Sequence, residues 1–205
     1  MQNSVELLGY YGSDLTHALS AWTSTFRDLT PDKKERIPAL LKRLAVDGHH
    51  TPFEKSTLHF LVTCDIASHI HIIKHRIGVS VNAESARYKE LKEDKYYVPA
   101  DWPLAALEAY GEHMEKTYEL YHKLLPVLEN EGLSRKRAKE SARFVLPYAN
   151  QITQDVSFNW RSFMHFQGLR NSEHAQVEIH NIAEDMLEQV RVTGQFDASL
   201  LAFGY

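Results

Sequence analysis

The densest set of side chains that could do chemistry lies at residues 69–88. Three donors, Lys74–Arg76, stand just before Gly78, where a helix is expected to end. Short polar side chains follow at 80–87, and this segment closes on Arg87. Two cationic clusters on either side of a Ser/Asn-rich turn suit a ligand that carries phosphates, because guanidinium groups make forked contacts and hydroxyls add neutral donors. The alternative is a helix end followed by a solvated loop.

Other common chemistries find less support in the sequence. His71 and His75 are four residues apart and could ligate zinc from one helix face, yet no His-Glu-x-x-His sequence occurs. We therefore predict no metal site, and a His-dependent metal hydrolase stays as an alternative function. The chain has no Gly-rich phosphate loop. Cys64, the single cysteine, ends an apolar segment without a basic neighbour, which indicates packing rather than a nucleophile.

Length and composition predict one domain, residues 1–205. The chain is 43% hydrophobic and 24% charged, which is usual for a globular protein with a sizeable core. Its net charge of −4 disfavours nucleic-acid binding by broad phosphate neutralisation. The sequence shows no membrane span and no secretion signal, and one cysteine excludes an internal disulfide. We expect a cytoplasmic protein that binds neither nucleic acid nor membrane.

Hydrophobic periodicity outlines the elements that must position these side chains. Residues 56–64 alternate as a strand does, and from Leu104 the apolar residues keep helical spacing. Pro38 is expected to kink the segment that starts at Pro31 or to divide it into two short helices. Strands are predicted at 5–11, 56–64 and 151–159, and helices at 14–26, 31–47, 104–131, 135–144, 161–167 and after Ser172.

The order of residues is more specific than the composition. Ser85 follows Lys74–Arg76 after a spacer of eight residues, and Gly48–Glu54 reads Gly-His-His-Thr-Pro-Phe-Glu. Further blocks stand at Ala142–Pro147, Asn159–Ser162 and Phe166–Ile179. In order and spacing these blocks resemble the flavin-dependent thymidylate synthases, whose signature is an Arg-His-Arg triplet followed by a serine. The matched blocks run from about Ser24 to Ile179.

The resemblance implies an α+β fold, with a central antiparallel sheet flanked by helices and a helical segment near 104–144. It also implies that FAD is reduced by NADPH and that methylenetetrahydrofolate gives a one-carbon unit to dUMP. Reduced flavin then supplies the hydride that completes the methyl group of dTMP, without a cysteine nucleophile. The family further implies a homotetramer whose active sites are shared between subunits.

The resemblance assigns roles residue by residue. Arg170 and Ser85 match positions in the catalytic centre, where an arginine could stabilise negative charge on the uracil. Ser85 is interpreted as a binding hydroxyl, since no adjacent base would activate it. Flavin-site positions are matched by Ser24, Thr51, Glu54, Lys74, His75, Arg76, Asn159, Arg161 and His165. Positions that bind dUMP are matched by His71, Glu84, Ser85, Ala86, Arg87, Arg143 and Arg170.

Four positions depart from the family pattern. Lys74 replaces the first arginine of the triplet, His71 a glutamine and His165 an asparagine. Glu84 lies one position after the usual glutamate, where this chain has Ala83. Two further alternatives therefore stay open, a flavin- and nucleotide-binding relative without synthase activity and a non-catalytic nucleotide-binding module.

Overall fold

The computed structural model describes residues 1–205 and contains one four-stranded antiparallel sheet. The strands lie in the order β1-β2-β4-β3, so the two longest strands are central. Helices accompany this sheet, which confirms the predicted α+β fold class. The strands are β1 Ser4–Tyr11, β2 Thr57–Asp65, β3 Val79–Ala83 and β4 Gln151–Asn159.

Nine α-helices make up most of the remaining structure. As predicted, the segment around Pro38 forms two short helices, and Thr30 caps the first of them. No helix is both long and apolar enough to span a bilayer. The helices are α1 Asp14–Trp22, α2 Pro31–Glu35, α3 Ile37–Val46, α4 Ile66–Ile73, α5 Leu104–Asn130, α6 Arg135–Ala142, α7 Trp160–Arg170, α8 Val177–Val192 and α9 Asp197–Ala202.

Strand β2 shows why the alternation of apolar side chains in the sequence predicted a strand. Leu58, Phe60 and Val62 are fully buried, whereas the side chains between them are half-buried. Successive side chains of a strand point to opposite faces, so one face lies in the core. Cys64 continues the buried face, and its exposed fraction is 0%. The predicted packing role of this cysteine therefore agrees with its position.

Several segments differ from the sequence prediction. The helix expected to end near Gly78 is α4, which ends at Ile73, and the helix expected to reach residue 26 is α1, which ends at Trp22. Residues 79–83, expected in a polar turn, form β3, because half-buried Val79 and Val81 alternate with exposed polar residues. Helix α8 begins at Val177 rather than after Ser172, whose carbonyl instead closes a turn with Ala175. Helix α9 was not predicted, since six residues are too few to show a period.

The chain divides into two compact units. Unit 1 comprises residues 1–4, 63–70 and 83–154 and includes α4 residues 66–70, α5 and α6. In its core Tyr121 and Leu125 of α5 pack against Ala138 and Ala142 of α6. The predicted 104–144 segment thus contains a hydrophobic cluster of its own.

Unit 2 comprises residues 5–62, 71–82 and 155–205 and contains α1, α7, α8 and α9. A buried hydrogen-bonded chain, here the His17 network, links Ser56, His17, Ser199 and Asp14. The Ser199 hydroxyl donates to Asp14 Oδ1 at 2.5 Å, so it accepts from His17 Nδ1 at 2.9 Å. His17 Nε2 then accepts from the Ser56 hydroxyl at 2.8 Å. The network joins α1 to α9 and to the residue that precedes β2.

This network makes stability depend on pH. Burial lowers the pKa of His17 from 6.5 to about 4, so the imidazole is neutral in the folded protein. Between these values the unfolded chain binds more protons, and acidification from pH 6.5 to pH 4 therefore favours unfolding by about 3 kcal/mol through this group alone. We expect His17→Asn to remove that part of the pH dependence. Urea unfolding of both proteins across this range measures the difference, and parallel curves would contradict it.

Candidate functional site

Unit 2 contains a cavity with an unusual charge balance, here called the cationic cavity. Its volume is about 300 Å³, and its walls hold Lys74, Arg76 and Arg170 but no carboxylate. Neither Lys74 nor Arg76 forms an ion pair. Three cations facing one space without a counter-charge favour an anionic ligand, and the guanidinium groups suit phosphate oxygens. The complete lining is Lys74, His75, Arg76, Ile77, Val79, Ser162, His165, Leu169 and Arg170.

A neutral histidine anchors one of these cations. Arg170 Nε donates to His75 Nε2 at 3.2 Å. Burial and the charge of Arg170 lower the pKa of His75 to about 4, which keeps Nε2 available as an acceptor. Burial also lowers the pKa of Arg170 from 12.5. The His165 ring lies 5.6 Å from the His75 ring, so this replaced position of the family pattern lines the same cavity.

The turn at Gly78 lies where the Lys74–Arg76 segment meets α7. Gly78 has a φ of +65°, and the Asn159 backbone amide donates to its carbonyl at 2.9 Å. A Cβ at this position would lie 2.3 Å from Asn159 Nδ2 and 2.4 Å from Ser162 Oγ. The Asn159 side chain in turn caps α7 by accepting from Ser162 N at 2.9 Å. Glycine is therefore required where the Lys74–Arg76 segment meets α7.

A second pair of matched residues lies elsewhere in unit 2. Arg161 Nη1 donates to Glu54 Oε1 at 2.7 Å, with half of the arginine side chain exposed. An ion pair this exposed contributes at most about 1 kcal/mol to folding stability, so its main effect is to fix the position of the Arg161 side chain. Thr51 is exposed at the start of a short 3₁₀ helix, Thr51–Lys55, which buried Phe53 anchors.

Unit 1 contains a larger and mostly apolar cavity, here called the Ser85 cavity. Its volume is about 380 Å³, and four residues predicted to bind dUMP line it: Glu84, Ser85, Ala86 and Arg143. Arg143 has no ion-pair partner. Sequence reasoning did not assign the other lining residues to the site, and half of them are aliphatic side chains that carry no pattern that distinguishes them from core. They are Ile66, His69, Ile70, Lys89, Leu91, Leu146, Pro147, Tyr148, Asn150 and Ile152.

Two of the predicted dUMP residues have partners within unit 1. Glu84 accepts from Lys89 Nζ at 2.6 Å and from Thr153 N at 2.9 Å. Burial alone would raise the pKa of Glu84, but these two hydrogen bonds and the charge of Lys89 hold that pKa below its usual range. Arg87 Nε donates to Glu140 Oε1 at 2.7 Å, which raises the pKa of Arg87. Arg87 does not line the Ser85 cavity. To bind a ligand phosphate, its guanidinium would have to exchange the Glu140 carboxylate for that phosphate.

The remaining predicted residues occupy different positions. His71 is half-buried on α4, one turn before His75. Ser24 is exposed just after α1, where its hydroxyl donates to the Ala21 carbonyl at 2.9 Å. The structure thus gathers Lys74–Arg76, His165 and Arg170 in one cavity and Glu84–Ala86 with Arg143 in another. No group of three or more His, Cys, Asp or Glu side chains is arranged to hold a metal ion.

Comparison with known proteins now identifies the family. The sequence model described as thymidylate synthase complementing protein matches residues 6–193. The chain belongs to the flavin-dependent thymidylate synthase family. It is 32% identical over 191 residues to the flavin-dependent thymidylate synthase of Pseudothermotoga lettingae, with 87% of this chain and 80% of the relative covered. The same enzyme of Streptomyces avermitilis is 29% identical over 208 residues, covering 91% and 82%.

Solved structures support the family membership. A crystal structure of the UMP/dUMP methylase PolB from Streptomyces cacaoi, bound with 5-Br dUMP, matches with a TM-score of 0.82 and 28% identity. The match covers 98% of this chain and 94% of that chain. A second PolB structure, bound with 5-Br UMP, matches with a TM-score of 0.78 and 26% identity. The resemblance to flavin-dependent thymidylate synthases is thus confirmed, and this chain is an enzyme of that family.

The residues present fit the flavin that the family name implies. A dinucleotide such as FAD carries a pyrophosphate, and the cationic cavity offers Lys74 and Arg76 without competing carboxylates. Neutral His75 and the Ser162 hydroxyl add uncharged polar groups to the same walls. Lys74 keeps the charge of the family's arginine but loses its forked geometry.

Proposed function

We propose that this enzyme converts dUMP to dTMP with FAD as cofactor, methylenetetrahydrofolate as one-carbon donor and NADPH as reductant. The observation that carries the proposal is the cationic cavity, where three unopposed cations from two family blocks face one space. The family membership and the nucleotides bound by the solved relatives add support. A relative without synthase activity, or a non-catalytic nucleotide-binding module, would keep the same cavity. Only a turnover assay separates these alternatives from the synthase.

Each set of residues has a distinct task in this proposal. Lys74 and Arg76 bind phosphate oxygens of FAD. Glu54 holds Arg161, and the family resemblance assigns both residues to the flavin site. When bound, the flavin supplies the hydride that completes the methyl group. Arg170 lines the cationic cavity and not the Ser85 cavity, so within the proposed homotetramer it acts on a nucleotide bound by another subunit. There Arg170, held by His75, stabilises negative charge on the pyrimidine as C5 becomes nucleophilic.

The Ser85 cavity is proposed to hold the nucleotide. Arg143, which has no internal partner, supplies a cation for its phosphate, and the Ser85 hydroxyl adds a neutral donor. The aliphatic lining excludes water from the base, which strengthens every polar contact made there. The Glu84–Lys89 ion pair holds the wall in place.

A specific observation favours a second candidate substrate. The matched PolB structures carry 5-Br dUMP and 5-Br UMP, and PolB is described as a UMP/dUMP methylase. Methylation of UMP by this chain is therefore the second candidate function. Parallel assays with dUMP and UMP decide between them.

The proposed chemistry uses no enzyme thiolate. Burial, and then the charge of Asp65, raise the pKa of Cys64 to about 12, and Gln154 Nε2 donates to its Sγ at 3.3 Å. We expect Cys64→Ser to form dTMP at a rate within about twofold of the natural protein, since serine keeps an acceptor for Gln154. Steady-state assays of both proteins measure this. A loss above 100-fold in a folded variant would restore the thiolate mechanism.

Assembly and location complete the proposal. We propose a homotetramer with shared active sites in the cytoplasm, as the family implies, and no nucleic-acid or membrane partner. Sedimentation velocity at micromolar concentration tests the tetramer. A monomer that turns over dUMP would contradict shared sites.

The visible spectrum tests the flavin directly. Purified protein is titrated with FAD, freed of excess cofactor, and then mixed with NADPH in the presence or absence of dUMP. We expect bound flavin bands that bleach with NADPH, and faster bleaching with dUMP. Arg76→Ala is expected to weaken FAD binding by about tenfold, because one phosphate cation is lost. Absence of bound flavin in excess FAD would overturn the proposal.

A further inference from the structure

We propose that His17 is a positioning residue for the flavin site, an inference that rests on the function proposed above. His17 lies outside every block that matches the family signature and is fully buried, so it cannot touch a ligand. Its contacts nevertheless reach both segments that carry the Glu54–Arg161 pair.

Ring contacts connect His17 to the two partners. Its imidazole lies 5.2 Å from the Phe53 ring, edge to face, and Phe53 precedes Glu54. It lies 5.7 Å from the Trp160 ring, and Trp160 precedes Arg161. Both aromatic side chains are fully buried, so a shift of the imidazole has no free space to be absorbed in.

Hydrogen bonds fix the imidazole itself. Its two ring nitrogens are both engaged, Nε2 by the Ser56 hydroxyl and Nδ1 by Ser199. Ser56 directly follows the Thr51–Lys55 turn and thereby anchors its end. The Asp14 carboxylate accepts from the Ser199 hydroxyl. It also accepts from the backbone amides of Ala198 and Ser199, each with an N–O distance of 2.8 Å. The chain of donors thus runs in one direction and ends on a carboxylate.

The C-terminal segment closes this arrangement from the other side. Phe196 stacks on Trp160 with ring centroids 4.8 Å apart, and Phe203 lies 5.0 Å from Phe53. These rings flank α9, which carries Ser199. His17 thus lies between two segments of the site and is held by a hydrogen bond to a third segment. An apolar ring would suffice for core packing alone, so these hydrogen bonds favour a positioning role.

The experiment compares His17→Phe with a core variant of matched destabilisation. Phenylalanine keeps a ring against Phe53 and Trp160 but removes both hydrogen bonds. The control is Leu125→Ala, in a cluster that contains neither Phe53 nor Trp160. Both are studied at a temperature where circular dichroism shows them folded. Ser56→Ala, which removes only the Nε2 partner, replaces His17→Phe if that variant does not fold.

Two readouts are measured. The dissociation constant for FAD is expected to rise about tenfold in His17→Phe and to stay within about twofold in Leu125→Ala. His17→Gln, whose amide keeps a donor and an acceptor, is expected to recover most of the affinity. Hydrogen exchange of the protein without FAD is expected to speed up at residues 51–56 and 159–163 in His17→Phe but not in the control.

The outcomes separate this inference from the proposed function. Unchanged exchange in both segments, or equal changes in His17→Phe and Leu125→Ala, overturns the positioning role. Changed exchange with unchanged FAD affinity also overturns it, because the segments then move without consequence for the cofactor. If the natural protein binds no FAD, the proposed function fails and His17 is no longer a flavin-site residue. The exchange result still shows whether it positions the two segments.

Discussion

Replacing Arg170 with alanine is expected to lower kcat for dTMP formation by a factor of about 100 to 1,000. Arg170 is half-buried, and its Nε donates to neutral His75, so its guanidinium is oriented before the substrate arrives. A preorganised cation in a shielded cavity stabilises developing negative charge without a cost of reorganisation. The measurement is steady-state turnover at saturating dUMP and FAD, which removes the effect of weaker binding.

Two variants serve as controls for this prediction. Arg170→Lys keeps the charge but not the forked geometry, and its kcat is expected to lie between those of the natural protein and Arg170→Ala. Arg191→Ala removes an arginine on α8 whose partner is exposed Glu188, and kcat is expected not to change. A kcat for Arg170→Ala within about threefold of the natural value would contradict the proposed role.

Gly78→Ala is expected to destabilise the fold by about 2–4 kcal/mol, although it adds a single methyl group. The glycine has a φ of +65°, and the new Cβ would meet Asn159 and Ser162 at 2.3 and 2.4 Å. Asn159 then has to move, and α7 loses the side chain that caps its first turn. The midpoint of urea unfolding measures the change.

The matched control lies within α7 itself. A Cβ added at Gly168 would have no atom within 4 Å, and this glycine has no positive φ. Gly168→Ala is therefore expected to be neutral or to stabilise by about 0.5–1 kcal/mol. The Gly78 variant is also expected to bind FAD less tightly, because the turn sets the end of the Lys74–Arg76 segment. Equal unfolding midpoints for the two alanine variants would contradict this role of the turn.

Regular periods made the long elements predictable. The buried Leu58, Phe60 and Val62 alternate in sequence as they do in β2, and the predicted strand 151–159 coincides with β4. Edge strand β3 was missed because Ser80 and Asn82 face solvent and give the segment the composition of a loop. Helix α9 is too short to carry a period.

The site residues that form a charged cluster along the sequence could be predicted from it. Residues that meet only through the fold could not. Lys74–Arg76 stands out as a cluster, yet Arg170 joins it only through the fold, since it lies 95 residues from His75. The family resemblance assigned Arg170 to the dUMP site and Lys74–Arg76 to the flavin site, so it did not predict that these residues line one cavity. His17 shows the limit, since nothing in its neighbourhood along the chain points to Ser56 or Ser199.

A single-turnover experiment tests the proposed synthase reaction most directly. Protein loaded with FAD and reduced by NADPH is mixed with dUMP and methylenetetrahydrofolate, and nucleotide products are separated and counted against bound flavin. We expect close to one dTMP for each reduced flavin, and none when flavin, dUMP or folate is left out. Flavin that is reoxidised without any methylated nucleotide, from either dUMP or UMP, would contradict the proposed reaction.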